Sequence, residues 1–247
     1  DGYLSEGALT VFTGVPFTEK KPYNYFEAKV CLRQTMEEIR KERLLAQELG
    51  ADLKAPGRGA ITGKKAPNVW DFIPLKTAVI GDVHTANPHL TLSFAQDYVL
   101  VIAILPSSMK RSLWRKLQEL SEEEFCGMLA EVNKNFAPII RRVPNASPRV
   151  SVTQRHYPSR SARAVVDADL NFDLRAAVAQ KVKSGIKHQP EWATASYLTL
   201  TNKRSNMAFS IGMRFPYGDG KYTNNVKIVD LICDVWVACR PLFEVVV

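Results

Sequence analysis

The sequence predicts an α+β fold in which antiparallel β-hairpins alternate with helices, preceded by an N-terminal helical arm. Two observations carry this. Tyr25 to Leu49 places an apolar stripe opposite a strongly charged face, and Met207 to Phe215 alternates strictly between apolar and small or polar residues. With 247 residues, 46% of them hydrophobic and 23% charged, the chain can bury one sizeable core. It divides into a helical arm and basic Gly-rich linker over 1–67 and one α+β domain over 68–247.

In chain order, Tyr25 to Leu49 reads as one helix, with Phe26, Val30, Met36, Ile39, Leu44 and Leu45 on its apolar stripe and Gly50 as its stop. Ala51 to Pro67, with three Gly and two Pro, reads as a loop. Strands are expected at Leu75 to Gly81, His89 to Ala95 and Tyr98 to Leu105, the last apolar on both faces and therefore central in its sheet. Helices follow at Ser107 to Leu120 and Ser121 to Phe136, the second opened by Ser121 and Glu124 at capping-box spacing. Hairpins are expected from Pro148–Arg155 with Arg163–Leu170 and from Ala195–Asn202 with Met207–Phe215. Met207, Phe209, Ile211, Met213 and Phe215 then face a core, while Ala208, Ser210, Gly212 and Arg214 face solvent or a ligand. Further helices are expected at Phe172 to Ile186 and Asn225 to Cys239.

The charge distribution points to the partner. The net charge is +8, and Val132 to Val166 holds Lys134, Arg141, Arg142, Arg149, Arg155, Arg160 and Arg163 with no Asp or Glu. Arginine is suited to bidentate phosphate contact and to stacking on bases. The turn from His156 to Ala162 and the turn at Lys203, Arg204, Ser205 and Asn206 make both expected hairpin tips basic, and the linker adds Arg58, Lys64 and Lys65 among glycines. Tyr157, between Arg155 and Arg160, offers a ring for a base. The same arginines would also suit an acidic protein partner, or lie along the sheet as a solvated face.

Three short motifs bear on catalysis. Ala78-Val79-Ile80-Gly81-Asp82-Val83-His84 resembles the opening motif of calcineurin-like metallophosphoesterases, in which an Asp and a His reach a dimetal centre from a strand end. The later Gly-Asn-His and Gly-His-x-His of that family are missing, so a site on Asp82 and His84 is short of ligands. Pro88-His89-Leu90-Thr91-Leu92-Ser93-Phe94 looks like one of the paired His-x-Thr motifs of the 2H phosphoesterases, whose two His serve as general acid and base. The second copy is absent, with Tyr197 where an echo of the first would place a His. Gly57 to Lys65 is similar to a P-loop but has Lys65 in place of the hydroxyl residue and follows a helix.

The four cysteines form no CxxC pair, and the longest apolar run, Tyr98 to Leu105, is far short of the roughly 20 residues a membrane helix needs. Together these features predict a cytoplasmic, non-catalytic nucleic-acid-binding protein without cofactor or metal, a subunit of a larger complex, with RNA or single-stranded DNA favoured over duplex. The expected contacts are Arg58, Lys64, Lys65, Arg141, Arg142, Arg149, Arg155, Tyr157, Arg160, Arg163, Lys203 and Arg204. The alternatives are a metal-dependent phosphoesterase using Asp82 and His84, and a structural assembly subunit.

Overall fold

The computed structural model describes residues 25–57, 68–76, 86–95, 98–156, 165–173, 180–182, 185–187, 192–201, 207–216 and 228–247. Within them the fold is α+β, as the sequence predicts. Helices α1 (Tyr25–Ile39) and α2 (Arg43–Leu49) precede strands β1 (Asn68–Pro74), β2 (His89–Ala95) and β3 (Tyr98–Leu105). Helices α3 (Arg111–Gln118) and α4 (Glu122–Arg142) lead to β4 (Ser147–His156) and β5 (Val165–Asp173). After them come β6 (Gln180–Val182), β7 (Gly185–Lys187), α5 (Trp192–Thr201), β8 (Met207–Pro216), α6 (Ile228–Ala238) and α7 (Arg240–Val246). Six strands form one antiparallel sheet in the order β1-β2-β3-β8-β4-β5, and β6 pairs only with β7.

Alternation sorts the sheet into two faces. On β3, Val99, Val101, Ala103 and Leu105 are buried, while Tyr98, Leu100, Ile102 and Ile104 between them are half-buried. Register continues the pattern: Val99, Val101, Ala103 and Leu105 lie opposite Phe215, Met213, Ile211 and Phe209 of β8, all in the hydrophobic core. Each described helix sends residues into that same core, among them Leu32, Leu45, Leu113, Phe125, Leu200, Trp236 and Leu242. The helices therefore cover one face of the sheet, and the other face carries no helix among the described residues. Gly212 lets β8 approach β3 closely, since a Cβ there would fall 2.1 Å from the Val101 carbonyl oxygen.

The long first helix is broken at Arg40 to Glu42. There the Arg40 guanidinium donates to the carbonyls of Leu53 (3.0 Å), Ala55 (2.7 Å) and Phe72 (3.2 Å), which ties the following loop to β1. Gly50 ends α2 in the left-handed region at φ 65°, as its position after the apolar stripe predicts. The expected Ser121 capping box is present, with the hydroxyl accepting from Glu124 N at 3.2 Å. Helix α4 runs past Phe136 and through Pro138 to Arg142, because Ile139 on its last turns is buried in the core. Four free cysteines are present: Cys31, Cys233 and Cys239 buried, Cys126 half-buried.

Three expected elements are corrected. The first strand is Asn68–Pro74 rather than Leu75 to Gly81; Trp70 and Phe72 on its second face hide the alternation of Val69 and Ile73, and Leu75 forms only a bridge to Ala51. Ala195 to Asn202 is not a hairpin strand, for residues up to Thr201 belong to α5. A strand would put Leu198 and Leu200 on one face, whereas Leu198 is 58% exposed and Leu200 1%. Thr199 and Thr201 donate back to the carbonyls of Ala195 and Tyr197, which lets β-branched residues sit in a helix. Phe172 to Ile186 is not a helix: Phe172 and Asp173 end β5 opposite Val150 and Arg149, and β6 and β7 occupy most of the remainder.

Arg40→Met should lower the unfolding free energy by about 2 kcal/mol, because three carbonyls lose a charged donor. Ser121→Ala should cost about 1 kcal/mol through the lost cap. Urea denaturation checks both; an Arg40→Met loss below about 0.5 kcal/mol would show that the guanidinium does not hold the loop.

Candidate nucleic-acid interface

The basic residues of the Val132 to Val166 stretch are separated by the fold. Arg141 and Arg142 occupy the last turn of α4, beside a groove of about 940 Å³ bounded by α4, α6 and α7. That groove alternates in sign: Lys134, Arg141, Arg142 and Arg240 share it with Glu131, Asp234 and Glu244. Arg142 is ion-paired with Asp234, and Arg240 bonds Glu244 at 2.7 Å and Glu48 at 3.0 Å. A polyanion entering here would meet three carboxylates and compete with existing pairs.

Arg149 lies elsewhere. It stands on β4 between buried Pro148 and Val150, across from Gly212 of β8, and so faces the side of the sheet without helices. There it lines a hollow of about 180 Å³ together with Tyr98, Leu100, Ile102, Ser151, Ser210 and Arg214. The hollow exists because β8 contributes small residues: Ala208, Ser210 and Gly212 run between the larger side chains of β3 and those of β4. Arg214 Cζ sits 4.0 Å from the centroid of the Tyr98 ring, over it, in a cation–π contact that fixes both groups. Among the described residues the lining holds two arginines, two hydroxyls, one phenol ring and no carboxylate. Asp169 and Asp173 occupy register positions beside Thr153 and Arg149 on the edge strand β5, which confines the cationic part of this face to β3, β8 and β4.

Of the other expected contacts, Arg155 falls on β4 opposite Val166, just past a bulge at Gln154. Arg58, Lys64, Lys65, Tyr157, Arg160, Arg163, Lys203 and Arg204 lie outside the described residues, as do Asp82 and His84. The segment at Lys203 and Arg204 joins helix α5 to strand β8, so it is not a hairpin tip. Tyr98 and Arg214 are the contacts that cation counting misses. The signal for Arg214 was its place in the alternation of β8, on the face opposite the core; Tyr98 is concealed within an apolar run.

On the same sheet face, β2 presents His89, Thr91 and Ser93, all buried. The His89 ring lies 5.1 Å from that of Phe72, and its Nδ1 is 2.8 Å from the Asn87 carbonyl, an arrangement in which Nδ1–H donates. Asn68 Nδ2 donates to Ser93 Oγ at 3.2 Å, while Thr91 Oγ1 has no partner. Burial pushes the His89 pKa down, outweighing the carbonyl bond that favours the charged ring. No group of three or more His, Cys, Asp or Glu able to hold a metal occurs among the described residues, and none of their helices is long and apolar enough to cross a membrane.

No protein-family model matches the chain, and no curated protein is similar to it. The class is therefore defined by architecture alone: a six-stranded antiparallel sheet with helices on one face and an arginine-lined hollow on the other.

His89 generates a pH dependence. Its folded pKa lies below the unfolded value of about 6.5, so the unfolded chain takes up the proton first. The stability linked to this residue is complete above about pH 6.5 and is lost as the pH falls through the folded pKa. His89→Asn should therefore lose less stability than the parent between pH 7.5 and pH 5.5, measured as urea midpoints; equal losses would show that the ring is not held neutral.

Proposed function

We propose that this protein binds single-stranded nucleic acid, RNA in preference to DNA, on the face of its sheet that carries no helix, and that it does so without chemistry. The observation that carries the reading is the hollow between β3, β8 and β4, where Arg149 and Arg214 stand beside Tyr98 with no carboxylate among the described lining residues. Antiparallel sheets that offer aromatic rings and guanidinium planes suit splayed single strands, because stacking is available to any base and the backbone follows the cations. A net charge of +8 supports the same direction through long-range attraction. Arg58, Lys64, Lys65, Arg155, Tyr157, Arg160, Arg163, Lys203 and Arg204 extend the contact beyond the hollow, and Arg141 and Arg142 contribute secondarily, since Arg142 must first leave Asp234. The reading includes residence in the reducing cytoplasm, in keeping with four free thiols, and membership of a larger assembly.

Fluorescence anisotropy with a labelled single-stranded oligonucleotide, from low to physiological salt, tests the proposal. Affinity should fall steeply as salt rises, because phosphate contacts release counterions. The double substitution Arg149→Gln with Arg214→Gln should weaken binding and make the log–log salt slope shallower by about two, about one for each cation removed. Flat salt dependence, or no binding at low salt, would overturn the reading.

A further inference from the structure

We propose that the hollow receives one unstacked base, held against the Arg214 guanidinium and contacted by the hydroxyls of Ser151 and Ser210. This rests on the nucleic-acid reading and adds to it the part of the strand that enters the site. A patch that gripped only phosphate would need exposed cations and no depth. Here the face is recessed: β8 places Ala208, Ser210 and Gly212 in succession between Leu100 and Ile102 on β3 and Arg149 and Ser151 on β4. The resulting space, about 180 Å³, has apolar walls on one side and hydroxyls on the other.

Each feature matches a part of a nucleotide. Leu100 and Ile102 supply apolar contact for the base. Arg214 already lies over the Tyr98 ring at 4.0 Å, so its guanidinium is held in place to stack a second ring with little further loss of freedom. Ser151 and Ser210 both donate and accept, so they can bond the Watson–Crick edge of any base. In a duplex that edge is already paired. A base that enters the hollow must come from a single strand, and Arg149 at its rim is placed for the adjoining phosphate.

Filling the hollow without altering charge separates this inference from simple phosphate binding. Ser210→Leu introduces a branched side chain at a half-buried strand position, and single-strand affinity should fall by about fivefold or more while the salt slope stays at the parent value. Arg214→Lys keeps the charge but loses the planar surface, and should give the same pattern whether or not Ser210→Leu folds stably, which thermal melting reports. A duplex of the same sequence should bind more weakly than the single strand and respond to neither substitution. If both variants bind the single strand as the parent does, with salt dependence intact, the recessed base is wrong and nucleic-acid binding stands. If the parent binds no oligonucleotide at low salt, both proposals fall together.

Discussion

The pairing of β3 with β8 is the constraint on which the rest of the structure depends. These strands lie more than a hundred positions apart in sequence, yet they run side by side from Tyr98 opposite Pro216 to Leu105 opposite Phe209. Helix α6 secures the pair from the core side: Trp236 Nε1 donates to the Ile102 carbonyl at 3.2 Å, and Cys239, just past its end, contacts the Ile211 carbonyl through sulfur at 3.7 Å. Without this contact the β1-β2-β3 meander and the β8-β4-β5 half would each present an unpaired edge. Closing so long a loop has an entropic cost that local contacts cannot offset, so assembly waits on burial of Val101, Ala103, Ile211 and Met213 beneath the helices.

One-sided burial also determines where charge can act. Arg142 and Arg149 are close in sequence, but one ends a helix on the core side and the other sits on the opposite face of the sheet. On the helical side, cations interdigitate with carboxylates and stabilise packing among α4, α6, α7 and the acidic end of α2. On the sheet side, strand alternation sets arginine, hydroxyl and aromatic groups in adjacent rows. A linear cation count cannot distinguish these two environments, since it registers density and not direction.

The legible parts of the fold were those fixed by local chemistry. The apolar runs of β2 and β3, the Ser121 cap, the Gly50 stop and the alternation of β8 each declare themselves within a few residues. What was not legible depended on distant neighbours. Trp192 to Thr201 has the composition of a strand, but Tyr197 donates to the Leu120 carbonyl at 3.2 Å, its ring packs on Phe125, and Leu200 enters the core, so tertiary contact decides for a helix. The break at Arg40 follows from carbonyls that lie 13 to 32 positions downstream. The hollow was half legible: β8 announced its small residues and Arg214, whereas their juxtaposition with Tyr98 and Arg149 required the strand order.

The thiols give the core a built-in chemical clock. Burial, with Glu42, Asp230 and Asp234 adding to it, pushes the Cys233 thiol up to about 12, and burial pushes Cys31 and Cys239 up as well, so at neutral pH almost none of the reactive thiolate is present in the closed protein. These three mark different layers, with Cys31 on α1, Cys233 on α6 and Cys239 at the junction of α6 and α7. Alkylation at each position therefore records how often that layer opens to solvent, separately from global unfolding. Half-buried Cys126 on α4 serves as the internal standard for a thiol that reagent reaches without opening the core.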